Sequence, residues 1–125
     1  MNRLKLTIAL SSCLLLAACD KQTETTMSDN ENKPIPLAIK MMGNSFQPDV
    51  SNVVITQRTN RIESPDSVEV SIVESGLLDD SVEAIKTIFT FILKDDKWIL
   101  EKPQDVLIKC YEGRGHKDFS PETCA

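Results

Sequence analysis

Val68, Val70 and Ile72 alternate with Glu69 and Ser71, which gives this segment one apolar side and one wetted side. That period of two is the mark of a half-buried strand. Upstream, Val53, Val54, Ile55 and Thr56 form a β-favouring run within residues 50–61, closed by the Pro65-Asp66 turn signal. Downstream, Gly76 and the Asp79-Asp80 pair mark a connection.

Residues 82–94 carry two patterns at once. Val82, Ile85, Ile88, Phe89 and Ile92 fall at helical spacing, and Asp80 with Glu83 has the form of a capping box. Against this, Thr87-Ile88-Phe89-Thr90-Phe91-Ile92 is dominated by β-branched and aromatic residues. Strand is the better fit, because it pairs Phe89, Phe91 and Leu93 with Trp98 and Leu100 in a cross-strand ladder. Lys94-Asp95-Asp96-Lys97 then becomes a hairpin tip. Pro103 cannot donate to a ladder, so it predicts a bulge or bend before Val106-Leu107-Ile108-Lys109-Cys110 resumes extended chain.

Ahead of the strands, residues 35–42 place apolar side chains as in a short helix after Pro36, with Gly43 as the stop. The alternative is an extended lead-in lying on the sheet. The pattern as a whole predicts an α+β domain that is mainly β. It comprises an antiparallel sheet of about four strands, a short N-terminal helix and a C-terminal loop.

The first 33 residues are of another kind. Asn2-Arg3-Leu4-Lys5 is a basic start, residues 6–16 are largely apolar, and Leu16-Ala17-Ala18-Cys19 follows. This layout is that of a secretory signal with a small-residue cleavage site. Leu16-Ala17-Ala18-Cys19 resembles the lipobox of bacterial lipoproteins. That resemblance implies removal of residues 1–18 and a lipid-modified Cys19 at the new N-terminus. Two or three acyl chains hold stably, whereas one binds only marginally. Asp20 resembles the enterobacterial signal for inner-membrane retention, with the outer membrane as the alternative. The apolar run is shorter than the roughly 20 residues that a spanning helix needs. Residues 20–33, DKQTETTMSDNENK, contain one large apolar residue, Met27, and read as a disordered tether of roughly 20 Å. The expected organisation is therefore a signal over 1–18, lipidated cysteine and tether over 19–33, and a folded domain over 34–125.

Charge narrows the partners. The chain has 14 basic and 19 acidic residues, for a net charge of −5. Loss of Arg3 and Lys5 with the signal leaves 12 basic residues and a charge of −7. Such a surface argues against nucleic acid or anionic headgroups as ligands. Of the four cysteines, Cys13 goes with the signal and Cys19 takes the lipid. Cys110 and Cys124 remain as an even pair in an exported protein, so a disulfide is expected, stabilising by roughly 3 kcal/mol.

The segment from Cys110 to Cys124 reads CYEGRGHKDFSPETC. Its pattern of Cys, Gly-Arg-Gly-His, a residue, Asp-Phe-Ser and a closing Cys resembles the end of a group of small bacterial exported proteins and lipoproteins. The resemblance reaches back through Leu77-Leu78-Asp79-Asp80-Ser81-Val82 and Asp96-Lys97-Trp98, covering about residues 76–124. Members of that group run from the tryptophan strand directly to the first cysteine, so Pro103 is a departure. The resemblance implies the disulfide and the strand-hairpin-strand order, and brings no activity with it.

His116 is the only histidine, with Arg114, Lys117, Asp118 and Ser120 near it. A Ser-His-Asp site is a poor fit, because there is no nucleophile elbow and triads depend on geometry. Tetrahedral zinc needs three or four ligands, and the two cysteines are spent on each other. The expected role of the loop is structural: Gly113 and Gly115 turn the chain, Arg114 pairs with Asp118 or Glu112, and His116 caps backbone groups. The competing role is recognition of a partner or anionic glycan by Arg114, His116 and Phe119. Neither a catalytic residue nor a cofactor is assigned. The sequence thus reads as a membrane-anchored periplasmic lipoprotein, a non-enzymatic binding or envelope-assembly module contacting an envelope protein or glycan. The alternatives are a small envelope hydrolase centred on His116 and a purely structural lipoprotein.

Overall fold

The computed structural model describes residues 31–46 and 50–125. The signal, Cys19 and most of the expected tether lie outside the described residues. Helix α1 spans Pro34–Met42, and strands follow as β1 (Asn52–Thr59), β2 (Ser67–Ser75), β3 (Val82–Lys94), β4 (Lys97–Leu100) and β5 (Asp105–Cys110). The helix begins at Pro34 rather than after Pro36, since proline tolerates the first turn, where its missing N–H is not needed. It stops at Gly43, whose φ of 46° lets its N–H reach the Ile39 carbonyl.

All strand pairs are antiparallel, in the order β1-β2-β3-β4, with β5 also on β3. The 13 residues of β3 make it the spine, which settles residues 82–94 as strand. Asp80 and Glu83 do not cap a helix, and the neighbouring Asp79 shapes the turn instead. Its Oδ1 accepts from the Ser81 N–H at 2.8 Å, the Ser81 hydroxyl at 2.7 Å and the Val82 N–H at 3.1 Å, turning the chain into β3. These bonds hold its carboxyl below the usual range, with the Ser81 hydroxyl the largest cause.

The sheet has five strands rather than four. Leu100 lies opposite Phe91 and Asp105 opposite Ile88. Four residues, Glu101 to Gln104, therefore stand opposite Phe89 and Thr90, and the chain bulges outward at Pro103 before returning to the same edge of β3. The hairpin tip is a two-residue turn with φ of 49° at Asp95 and 59° at Asp96, the left-handed pair that matches strand twist.

One face of the sheet is covered by α1. Ala38 and Met42 pack on Val68, Val70, Ile72, Phe89 and Phe91, with Ile35, Leu37, Phe46, Trp98 and Leu100 around them. The register explains this: Val68 faces Phe91 and Val70 faces Phe89. Phe91 and Leu93 lie opposite Leu100 and Trp98, as the ladder reading required. Burying each large side chain contributes about 1.5–3 kcal/mol. Among the described residues, no buried side-chain polar atom lacks a partner.

Candidate functional site

Two places carry unusual chemistry: the disulfide loop and the outer edges of the sheet. The loop begins where β5 ends. Cys110 lies opposite Val82, and an extra residue, Glu83, bulges from β3 beside it and accepts from the Lys109 ammonium at 2.7 Å. Cys110 and Cys124 are joined as a disulfide with Cα atoms 5.6 Å apart. The chain between them folds back on β5: Ile108 and Ser120 exchange both backbone hydrogen bonds, and the Cys110 N–H donates to the His116 carbonyl at 3.2 Å. Gly115 has φ of 143°, and a Cβ there would sit 2.9 Å from Cys110 Sγ, so glycine is required for this close pass.

His116 is turned inward over the disulfide. Its Nδ1 lies 2.8 Å from the Asp118 carbonyl and its Nε2 2.8 Å from the Glu122 carbonyl. A carbonyl oxygen only accepts, so this placement favours the protonated ring, in which both nitrogens donate. The pKa is accordingly raised, chiefly by the Glu122 carbonyl and then by that of Asp118. Nε2 is also 3.5 Å from Cys110 Sγ. His116 thus caps backbone groups, with both ring nitrogens turned to carbonyls of its own loop. Cys110, His116 and Cys124 place their ligand atoms within 4.8 Å of one another. Joined to each other, neither sulfur offers the thiolate that a metal binds.

Arg114 does not pair with Asp118 or Glu112. Its guanidinium reaches Asp80 at 3.1 Å, tying the loop to the turn before β3, while Glu112 faces Lys117 at 3.8 Å. The reason is direction: Gly113 and Gly115 turn the backbone so that Arg114 projects across the sheet end. Phe119 is half-buried beneath the Lys86 ammonium, 5.3 Å from the ring centre. All three expected contact residues are engaged within the domain, His116 and Phe119 half-buried and Arg114 the most exposed of them. A shallow hollow of about 230 Å³ beside the loop is lined by Glu83, Lys109, Cys110, Glu112 and Lys117, whose charges balance.

The sheet edges differ sharply. On the β4–β5 side, Asn32 sets its carboxamide against Trp98 like a strand: the Trp98 N–H donates to Oδ1 at 2.9 Å and Nδ2 donates to the Trp98 carbonyl at 3.4 Å. Ser120 and His116 do the same for Ile108 and Cys110. Strand β1 has no such cover among the described residues. It pairs only with β2, and all eight of its residues are exposed. This edge was not singled out from the sequence. Its one signal there is a strand-like run, residues 52–59, with no proline, lysine or acidic residue to protect it.

Comparison with family models, with characterised proteins and with solved structures finds no significant match. Function is therefore argued from the chain's own geometry.

Proposed function

We propose that this chain is a lipid-anchored protein of the bacterial envelope that works as a non-enzymatic binding or assembly module. The observation that carries the reading is the edge of β1, which is uncovered among the described residues. A long, regular edge strand with unpaired N–H and C=O groups is a template for strand addition, in which main-chain bonds supply affinity and alternate side chains supply selectivity. The disulfide supports an oxidising compartment. The lipobox supports attachment through acyl chains on Cys19, with Asp20 favouring the inner membrane. The engagement of both His116 ring nitrogens with loop carbonyls weighs against the hydrolase alternative, because a general base must face the proton it takes.

Two experiments test this reading. Metabolic labelling with palmitate should mark the chain, and Cys19→Ala should abolish the label; equal labelling of both would sink the anchor. Photo-crosslinking groups placed at Ile55 on β1 and at Arg114 on the loop should give adducts in intact envelopes, stronger at Ile55. No protein or glycan adduct at either position would leave the purely structural lipoprotein. A phenotype in His116→Ala with a normally folded domain would revive the hydrolase.

A further inference from the structure

The ladder bonds fix which backbone groups of β1 point outward. The Asn60 N–H donates to the Ser67 carbonyl at 3.0 Å. Hydrogen-bonding direction alternates along an antiparallel strand, so the even-numbered residues of β1 face β2. The N–H and C=O groups of Val53, Ile55, Gln57 and Thr59 therefore point away from the sheet. The eight-residue pairing with β2 is unbroken, so no bulge twists the strand out of reach. Val53, Val54 and Ile55 are 41%, 48% and 36% exposed. Arg58 is the strand's only charge.

We propose that β1 pairs antiparallel with β1 of a second copy, on a two-fold axis through Thr56, continuing the sheet across a dimer. The proposal rests on the binding-module reading and names its partner.

Charge favours the second copy as the occupant: in a chain with 19 acidic residues, β1 carries none. The four outward residues are placed symmetrically about Thr56. This register sets Val53 against Thr59 of the other copy and Ile55 against Gln57. Every outward group is then used, in about eight interchain hydrogen bonds. Arg58 meets Val54 rather than its own copy, and no acidic residue lies in the strand. Two acidic chains can thus meet here without opposing like charges in the contact. An isologous two-fold contact brings the same patch of both copies together, and this register does so with the outward backbone groups matched. A single strand pair is a small interface, and lipid attachment to a shared surface would raise the effective concentration that favours it.

The test uses the full-length chain in detergent. Sedimentation should show a dimer that dissociates on dilution. Gln57→Pro removes only an outward N–H, so it should raise the dimer dissociation constant by about ten-fold or more while leaving thermal unfolding nearly unchanged. Should that variant misfold, Ile55→Lys gives the same reading by placing a charge on the edge. Thr56→Cys supplies the register. In this pairing it faces its own copy at a Cα separation of about 4.5 Å, within disulfide range, and should crosslink on oxidation. Ile55→Cys, facing Gln57, should crosslink poorly. A monomer at every concentration, a dimer unaffected by Gln57→Pro and Ile55→Lys, or preferential crosslinking through Ile55→Cys would each overturn the proposal. If the chain is monomeric yet a different envelope protein crosslinks at Ile55, the dimer fails and the binding-module reading survives. If neither a dimer nor a partner is found, both fail.

Discussion

The two outer edges of this sheet solve the same physical problem in opposite ways. Along β4 and β5, outward backbone groups are met by the Asn32 carboxamide, by Ser120 and by the His116 carbonyl. The disulfide and the His116 ring then hold the covering loop in place. Along β1 none of this occurs among the described residues, and the strand faces water with three apolar side chains partly bare. An edge is a liability wherever it is not managed. That so much of the C-terminal chain is devoted to closing one edge makes the openness of the other informative.

The largest expected effect comes from breaking the closed edge at its staple. Cys110→Ala should lower unfolding free energy by about 2–5 kcal/mol and reduce the abundance of the exported protein. Chemical denaturation with and without reductant checks this, and equal stability under both conditions would contradict it. If the closed edge then behaves like β1, the variant should also associate.

Removing the smaller cap is the next step down. Asn32→Ala leaves the Trp98 N–H and carbonyl without their partner and should cost about 1–2 kcal/mol. Amide exchange at Trp98 should accelerate more than at Ile108, whose partner is Ser120. Uniform acceleration would mean that the edge opens as one unit, not cap by cap.

The third test is acidity. Folding raises the pKa of His116 above its ordinary value of 6.5, so the folded chain binds this proton more tightly than the unfolded chain does. The resulting stability is fully present below the ordinary value and is lost as pH rises through the raised one. Thermal unfolding should shift downward across that interval, and His116→Gln should remove the dependence. An unchanged pH profile in the variant would mean that the imidazolium does not hold the loop.

The smallest effect lies at the hairpin tip, away from both edges. Asp96 sits at φ 59°, which glycine adopts freely, so Asp96→Gly should stabilise by about 0.5–1 kcal/mol in denaturant titration. It should leave association through β1 unchanged, which makes it a control for the comparison.

Much of the closed half was legible in the chain. Period two marked β2, aromatic and β-branched residues decided β3 against a competing helical spacing, and Pro103 announced the bulge between β4 and β5. Other features were not legible. Asn32 lies in a polar stretch that reads as tether, and its carboxamide finds Trp98 66 positions away. Arg114 had nearer carboxylates in sequence, yet the turn of the loop sends it to Asp80, 34 positions away. The run over residues 52–59 reads as a strand, but strand character does not say which side of it is left unpaired.

Local chemistry therefore determined the strands, the hairpin, the short helix and the pairing of Cys110 with Cys124, because period, turn residues and cysteine count act over a few neighbours or by elimination. Only the tertiary structure decided that His116 faces two loop carbonyls, that Arg114 holds the loop to the β3 turn, and that β1 is the open side of the sheet among the described residues. Those properties depend on groups far apart along the chain, and backbone hydrogen bonding is directional, so what is satisfied and what is left exposed emerges only when the sheet is assembled.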